Sequence, residues 1–176
     1  GVAQQICVGD ITTLIATGGD GYIWTSTDTV SLALNDTIVV SPTDTTMYYL
    51  EVTDSNSCIS YDSVIVTVNP LPFIVAGLDV QICLYDSVQL TASGADEYVW
   101  LPSDSISSLN NDTVSVWPSD TVEYIVVGTD SNSCISYDSV LVTVNPLPIV
   151  DAGMDTISCS DDLVNLGGSP TGPLGS

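Results

Sequence analysis

The stretch that decides the fold is Thr53–Pro72, TDSNSCISYDSVIVTVNPLP, because it returns at Thr129–Pro148 as TDSNSCISYDSVLVTVNPLP. The two copies lie 76 positions apart and differ at one position, Ile65 against Leu141. Each copy contains a polar turn, a cysteine, a long run of alternating apolar residues and an exit that contains two prolines. The rest of the chain is interpreted from this repeat.

The same period extends outward over the whole sequence without an insertion or a deletion. Cys7 recurs as Cys83 and Cys159, and Trp24 recurs as Trp100. A fixed period of this length, with no helical pattern inside it, indicates an array of small domains rather than a solenoid. We therefore predict two units and the beginning of another, at residues 1–72, 73–148 and 149–176.

The pattern within each unit predicts short β-strands, since apolar and polar residues alternate and no window has a helical period. In the first unit we predict strands at Asp10–Ala16, Tyr22–Thr25, Val30–Leu34, Thr37–Val40, Thr46–Thr53 and Ile59–Asn69, and the next unit opens at Phe73–Ala76. Regularly spaced strands, a Trp for the core and a distant cysteine pair are typical of a two-sheet sandwich. The predicted fold class is all-β, with tandem Ig-like β-sandwich domains in an extended array and one disulfide per domain. The linkers Asn69–Pro72 and Asn145–Pro148 are short and contain proline, so we expect little bending between units.

The five cysteines form one pair per unit with one left over. We predict that Cys7 pairs with Cys58 and that Cys83 pairs with Cys134, because both separations are 51 residues. Cys159 would pair beyond the end of this sequence. The alternative, metal-binding cysteines, lacks the close Cys-x-x-Cys spacing and any histidine. Disulfides require an oxidising compartment, so we predict an extracellular protein, secreted or at the cell surface.

The charge of the chain excludes several functions. There is no Lys, Arg or His against 22 acidic residues, which gives a formal net charge of −22. Nucleic acid is excluded as a partner because its binding depends on basic side chains at the phosphates. Nucleophilic triads and Schiff-base chemistry need residues that are absent here. Adjacent carboxylates such as Asp96 and Glu97 are interpreted as solvated turn residues, so we predict no catalytic site. No apolar run reaches the length of a membrane-spanning helix, so we expect no direct membrane insertion.

Calcium is the one cofactor that the composition favours, since oxygen-rich turns without basic neighbours suit a hard cation. The candidate ligands are Asp54, Asn56, Asp130, Asn132, Asp151 and Asp155. The alternative is that these residues form hydrogen-bonded turns and polar strand starts. No loop has the spacing of an EF-hand.

The units resemble the Ig-like or PKD-like repeats of giant surface proteins from gliding and other Bacteroidota. The matching motifs are Cys7-x-Gly-Asp10, Gly19-Asp-Gly-Tyr-x-Trp24, Ser41-Pro-Thr43 with Tyr48, Asp54-Ser-Asn-x-Cys58, Val66-Thr-Val-Asn-Pro-Leu-Pro72 and Asp151-Ala-Gly-x-Asp155. The resemblance covers essentially the whole chain and implies type IX export and a role as an adhesin, stalk or filament. The sequence departs from the family pattern at Tyr85, where a glycine is expected before Asp86, and in its lack of basic residues.

A tripeptide of Asp, then Ser or Thr, then an aliphatic residue or Thr occurs ten times. It resembles the O-glycosylation signal of secreted Bacteroidota proteins, and this resemblance predicts sugar at Thr29, Thr37, Thr45, Ser63, Ser87, Ser105, Thr113, Thr121, Ser139 and Thr156. The alternative is a turn that leads into a strand, with Asp in the turn and the aliphatic residue in the core.

These observations predict a non-enzymatic structural segment of an extracellular stalk or filament that is O-glycosylated. Its expected partners are neighbouring repeats or further copies of the chain. One alternative is a calcium-dependent adhesin that binds glycans or surfaces. Another is a set of accessory repeats in a secreted enzyme.

Overall fold

The computed structural model of the chain describes residues 2–26, 34–153, 157 and 159. This part of the chain contains twelve β-strands and no helix, and therefore no helix that could span a membrane. The strands are β1 Gln4–Cys7, β2 Thr12–Ile15, β3 Gly21–Ser26, β4 Thr37–Val40, β5 Thr46–Thr53, β6 Ile59–Asn69, β7 Val80–Cys83, β8 Val88–Thr91, β9 Glu97–Leu101, β10 Thr113–Val116, β11 Val122–Thr129 and β12 Ile135–Asn145.

The strands form two sandwiches with the same topology. In the first unit a four-stranded sheet, ordered β1-β6-β5-β3, accompanies the pair β2-β4; in the second, the sheet β7-β12-β11-β9 accompanies the pair β8-β10. In each large sheet the strand that comes first in the sequence runs parallel to the strand that comes last, β1 with β6 and β7 with β12. The other pairings are antiparallel. Each unit has its own hydrophobic cluster. The predicted tandem Ig-like β-sandwich fold is confirmed, while the domain boundaries at residues 72 and 148 remain predictions.

Packing around one tryptophan holds each core together. Trp24 and Trp100 are buried in their clusters, and Leu90, Ala92 and Val126 lie in the same cluster as Trp100. In antibody domains a disulfide between two core strands packs against the equivalent tryptophan. Strands β8 and β11 carry no cysteine, so aliphatic contacts hold this core and the cysteines are placed elsewhere.

The alternation of side chains explains why several strands were predictable. The predicted strands Thr37–Val40, Thr46–Thr53 and Ile59–Asn69 are confirmed residue for residue. The one predicted over 10–16 is shorter, and the one over 22–25 is extended by a residue at each end. Of the strand predicted at 30–34, all but the last residue lies outside the described part of the chain.

The prediction missed β1. It is only four residues long, and its partner β6 is some sixty residues away in sequence, with Gln4 opposite Val66 and Cys7 opposite Asn69. Its equivalent β7 pairs with β12 in the same way, with Cys83 opposite Asn145. This parallel pairing determines where the cysteines lie.

Residues from the segment that follows the first linker lie in the hydrophobic cluster of the second unit. Val75 forms an antiparallel bridge with Ser93, in which each backbone N–H donates to the other residue's carbonyl oxygen at 3.0 Å. On either side of Val75, Ile74 and Ala76 are buried. The N–H of Ala76 donates to Oδ2 of Asp138 at 2.8 Å. Residues 73–76 thus pack against the second sandwich ahead of its first strand, β7.

Candidate inter-unit junction

A disulfide joins the two units. Cys7 of the first unit is bonded to Cys134 of the second, with 5.6 Å between their Cα atoms and 127 residues between them in sequence. Cys58, Cys83 and Cys159 are exposed thiols. The predicted pairing of Cys7 with Cys58 and of Cys83 with Cys134 is therefore wrong.

The parallel strand pair explains the correction. Because β1 runs parallel to β6, Cys7 lies beside Asn69, at the end of β6. Cys58 directly precedes β6, which has eleven residues and is therefore about 35 Å long. A disulfide requires Cα atoms within about 7 Å of each other, so the two cysteines of one unit lie at opposite poles and cannot bond. The same argument separates Cys83 from Cys134.

Cys7 is held in a tight turn at the end of β1. The N–H of Asp10 donates to the carbonyl oxygen of Cys7 at 3.0 Å, and Gly9 has a φ of +92°, as the third residue of a type II turn requires. The N–H of Cys7 donates to Oδ2 of Asp10 at 3.2 Å, and the N–H of Val8 donates to the carbonyl oxygen of Asn69 at 2.9 Å. These bonds hold Cys7 against the end of β6, the strand that the linker follows.

Cys134 is held in the loop between β11 and β12 by one carboxylate. Oδ1 of Asp130 accepts the N–H of Asn132 at 2.9 Å and the N–H of Cys134 at 2.8 Å. The N–H of Asp130 donates to the carbonyl oxygen of Cys134, and the N–H of Ser133 donates to that of Asp130, both at 3.0 Å. The predicted hydrogen-bonded polar turn is thus present, and its role is to fix the position of the cysteine.

The two unpaired cysteines of the described units lie in copies of these turns. Asp54 accepts the N–H groups of Asn56 and Cys58 at 2.9 and 2.8 Å. At the other pole, the N–H of Asp86 donates to the carbonyl oxygen of Cys83 at 3.0 Å. Tyr85 takes the place of Gly9 there and adopts a φ of +76°, so the missing glycine noted in the sequence leaves a bulky residue in a left-handed conformation.

The turn lowers the pKa of Asp54. The main cause is the N–H of Cys58, which donates to the charged carboxylate, and the N–H of Asn56 adds to it.

Oδ1 of Asp130 and Oδ1 of Asp151 likewise accept backbone N–H groups. In the described ranges no three acidic or cysteine side chains converge, and Asp155 lies outside them. Calcium binding stays a prediction, which the effect of a chelator on the melting temperature tests.

The predicted glycosylation sites fall into three groups. Thr29 and Thr156 lie outside the described residues. Four of the hydroxyls have hydrogen-bond partners within the fold. Oγ1 of Thr45 and Oγ1 of Thr121 accept the N–H groups of Val68 and Val144, both at 3.1 Å. Oγ of Ser139 donates to Glu123 at 2.8 Å, and Oγ1 of Thr113 lies 3.4 Å from Oγ1 of Thr91. Thr37, Ser63 and Ser87 are exposed, and Ser105 is half-buried. Glycosylation stays a prediction.

Comparisons with known proteins give only distant structural similarity. No family model and no curated protein matches the chain. The insect immune protein hemolin, whose structure is described with implications for homophilic adhesion, superposes with a TM-score of 0.46 at 16% identity, over 82% of this chain and 45% of hemolin. Two Ig domains of DIP-gamma give 0.39 at 12% identity, over 81% of this chain and 93% of theirs. Fibronectin(III)-like modules of Clostridium thermocellum CbhA give 0.39 at 11% identity, over 82% of this chain and 90% of theirs. This chain therefore spans less than half of hemolin, and its fold assignment rests on its own strand order and pairing.

Proposed function

We propose that the chain is a structural segment of an extracellular stalk or filament in which Ig-like units are joined end to end. The observation that carries this proposal is the Cys7–Cys134 disulfide between the units. A disulfide that crosses from one unit to the next stabilises the arrangement of units rather than one core. This is useful in a rod and has no evident use in two independently acting domains.

The junction has two covalent connections side by side. The linker leaves the first unit at Asn69, and the disulfide leaves it at Cys7 on the neighbouring strand. Pro70 and Pro72 each fix one backbone angle of the linker. Two connections at adjacent points restrict hinge motions that a single linker would permit, so the two units behave as one semi-rigid body.

The charge supports a spacing role, and the disulfide supports an extracellular location. With a formal net charge of −22 and no basic residue, neighbouring rods repel one another, which keeps them soluble and separate. A disulfide between folded units also fits an oxidising compartment. O-glycosylation at exposed strand starts would add to this separation, and surface attachment by other parts of the protein is part of the proposal.

Single-molecule energy transfer tests the rod directly. Dyes on the native thiols Cys58 and Cys83, in a Cys159→Ser background, mark the two outer poles of the pair of units. Two units of about 35 Å each place the dyes about 70 Å apart, and we expect a narrow distribution of distances. In the double variant Cys7→Ser, Cys134→Ser, we expect a broader distribution with a shorter mean. Equal distributions in the two proteins would show that the bridge does not stiffen the junction.

A further inference from the structure

The outer face of the four-stranded sheet in the first unit has a shallow groove of about 200 Å³. Three neighbouring strands supply its outward-facing walls: Ile23 and Thr25 on β3, Tyr49 and Glu51 on β5, and Tyr61 on β6. These five residues are out of phase with the core residues of the same strands. Because successive side chains in a strand point to opposite faces, the groove lies on the solvent side of the sheet, away from the core.

The strand register brings two tyrosines and one glutamate together in this groove. Tyr61 lies directly opposite Glu51 on the neighbouring strand, and Ile23 lies opposite Glu51 on the other side. Tyr49 comes two residues before Glu51 on β5 and therefore shares its face. Tyr49 and Tyr61 are thus diagonal neighbours, at a distance of about 7 Å between their backbone positions. Glu51 is adjacent to both of them.

The three side chains are available to a ligand. Tyr49 is 49% exposed and Tyr61 is 73% exposed, and Glu51 is half-buried beside them. The sequence contains no Lys, Arg or His side chain that could neutralise the carboxylate. Partial burial of a carboxylate without a cation is unfavourable, so a ligand that brings a positive charge into the groove would relieve this cost.

The second unit keeps the tyrosine of the last strand but not the residues beside it. That tyrosine recurs as Tyr137, which is 75% exposed. At the position of Tyr49 the second unit has Ile125. At the position of Glu51 it has Val127. The eleven residues of β6 and β12 differ at one position, so the aromatic and acidic set is a feature of β5 in the first unit and not of the repeat.

A guanidinium group fits these side chains better than other ligands. Two residues about 7 Å apart leave room for one planar layer between their rings, because atoms in contact are about 3.5 Å apart. A guanidinium is planar, stacks on aromatic faces and pairs with a carboxylate through two N–H groups. An ammonium is a compact and strongly hydrated charge. The net charge of −22 repels anions, and a neutral sugar gains nothing from this field.

We propose that Tyr49, Glu51 and Tyr61 bind an arginine side chain of a partner protein. In this complex the guanidinium lies between the two tyrosine rings, and two of its N–H groups donate to the carboxylate oxygens of Glu51. Thr25 lies opposite Tyr49, and its hydroxyl accepts one of the remaining N–H groups. The 176 residues contain no arginine, so a second copy of these units does not supply the ligand. The proposal adds a binding function to the units and does not depend on their forming a rod.

The test is an NMR titration of the full chain, in which the backbone amide signals are followed as the peptide acetyl-Gly-Arg-Gly-amide is added. We expect saturable shifts confined to β3, β5 and β6, with a dissociation constant of about 1 mM. The same peptide with citrulline, the neutral analogue of arginine, should bind at least about tenfold more weakly. The peptide with lysine should bind about threefold more weakly.

Three results of this titration would overturn the proposal. The first is the absence of saturable shifts at about 10 mM arginine peptide. The second is equal binding of the lysine peptide, which would show that the surface recognises charge and not the guanidinium. The third is a titration in which glucose shifts the amides of the groove while the arginine peptide does not, which would identify a platform for sugars.

Variants separate this site from general attraction to an acidic surface. Glu51→Gln should weaken binding of the arginine peptide about tenfold, and Tyr61→Leu should weaken it about threefold. Glu97→Gln is the matched control, because it removes the same charge from an exposed position at the start of β9 in the second unit. It should bind like the parent, and equal weakening by Glu51→Gln and Glu97→Gln would contradict a specific site. Melting temperatures measured in parallel show that each variant is folded.

The second unit also allows the site to be transferred. Leu101, Ile125 and Val127 occupy the positions of Thr25, Tyr49 and Glu51. The triple variant Leu101→Thr, Ile125→Tyr, Val127→Glu places the same groups beside the tyrosine of β12. We expect a second set of shifts in β9, β11 and β12 at a similar peptide concentration. A folded variant without these shifts would contradict the assignment of the site to these side chains.

Discussion

Replacing Cys134 by serine should lower the melting temperature strongly, whereas the same replacement at Cys58 should have little effect. The two cysteines lie in turns of identical sequence with the same hydrogen bonds. Cys134 is bonded and buried, whereas Cys58 is an exposed thiol. The Cys7–Cys134 bridge closes a loop of 127 residues, which restricts the unfolded chain by about 5 kcal/mol on the chain-entropy estimate. At about 2–4 °C per kcal/mol for a chain of this size, Cys134→Ser should lower the melting temperature by about 10–20 °C.

The assay is thermal unfolding followed by circular dichroism without reductant, with a thiol count on the native protein. The parent should show three reactive thiols, Cys58, Cys83 and Cys159. Cys58→Ser should remove one of them, and Cys134→Ser should add Cys7. If each unit closed its own bridge, both variants would lose similar stability and each would gain a thiol. That result, or equal melting temperatures for all three proteins, would refute the reasoning from the parallel strands.

Three further matched comparisons follow from the described contacts. Tyr85→Gly should stabilise the chain by about 1 kcal/mol in urea unfolding, because it relieves a left-handed conformation. Gly9→Ala should destabilise the chain by a similar amount. A destabilising Tyr85→Gly or a stabilising Gly9→Ala would contradict the turn assignment. Gly94→Ala should cost more than about 2 kcal/mol, because its Cβ would clash with the carbonyl oxygen of Phe73 and displace the buried Ile74 and Ala76. Gly18→Ala should cost about 1 kcal/mol, because its Cβ would meet no atom within 4 Å; equal losses would contradict this difference in contacts. The pKa of Asp54 lies below its ordinary value of 3.8 because backbone N–H groups donate to the carboxylate, so its stabilising effect is present above pH 3.8 and disappears as the pH falls through the folded-state pKa. Asp54→Asn should therefore be less stable than the parent at neutral pH and equal to it in acid, and a difference that persists in acid would contradict this cause.

Local patterns predicted most of the fold. Strands such as Thr46–Thr53 and Ile59–Asn69 were predictable because side chains in a strand alternate between two faces, and the core face selects apolar residues. The turn around Asp54 was predictable because a short carboxylate can accept the N–H groups of the residues that follow it. The exact period then transferred each assignment from the first unit to the second.

The pairing of the cysteines was not predictable in this way. Equal spacing suggested bonds within the units, but the outcome depends on whether β1 runs parallel or antiparallel to β6. That choice is made by contacts between residues far apart in sequence, such as Gln4 and Val66. The contribution of residues 73–76 to the second sandwich likewise depends on a distant contact, the bridge between Val75 and Ser93.

The adjacent positions of Cys7 and Asn69 have a consequence for tension along the molecule. When the second unit is pulled away, force enters the first unit through the disulfide and the linker at once, and so through β1 and β6 together. When the first unit is held at its N-terminal side, the covalent path runs along β1 to Cys7 and through the disulfide directly to Cys134. Tension therefore bypasses the hydrogen bonds of β6 with β1 and β5, and the first sandwich stays folded while the second unit bears the load.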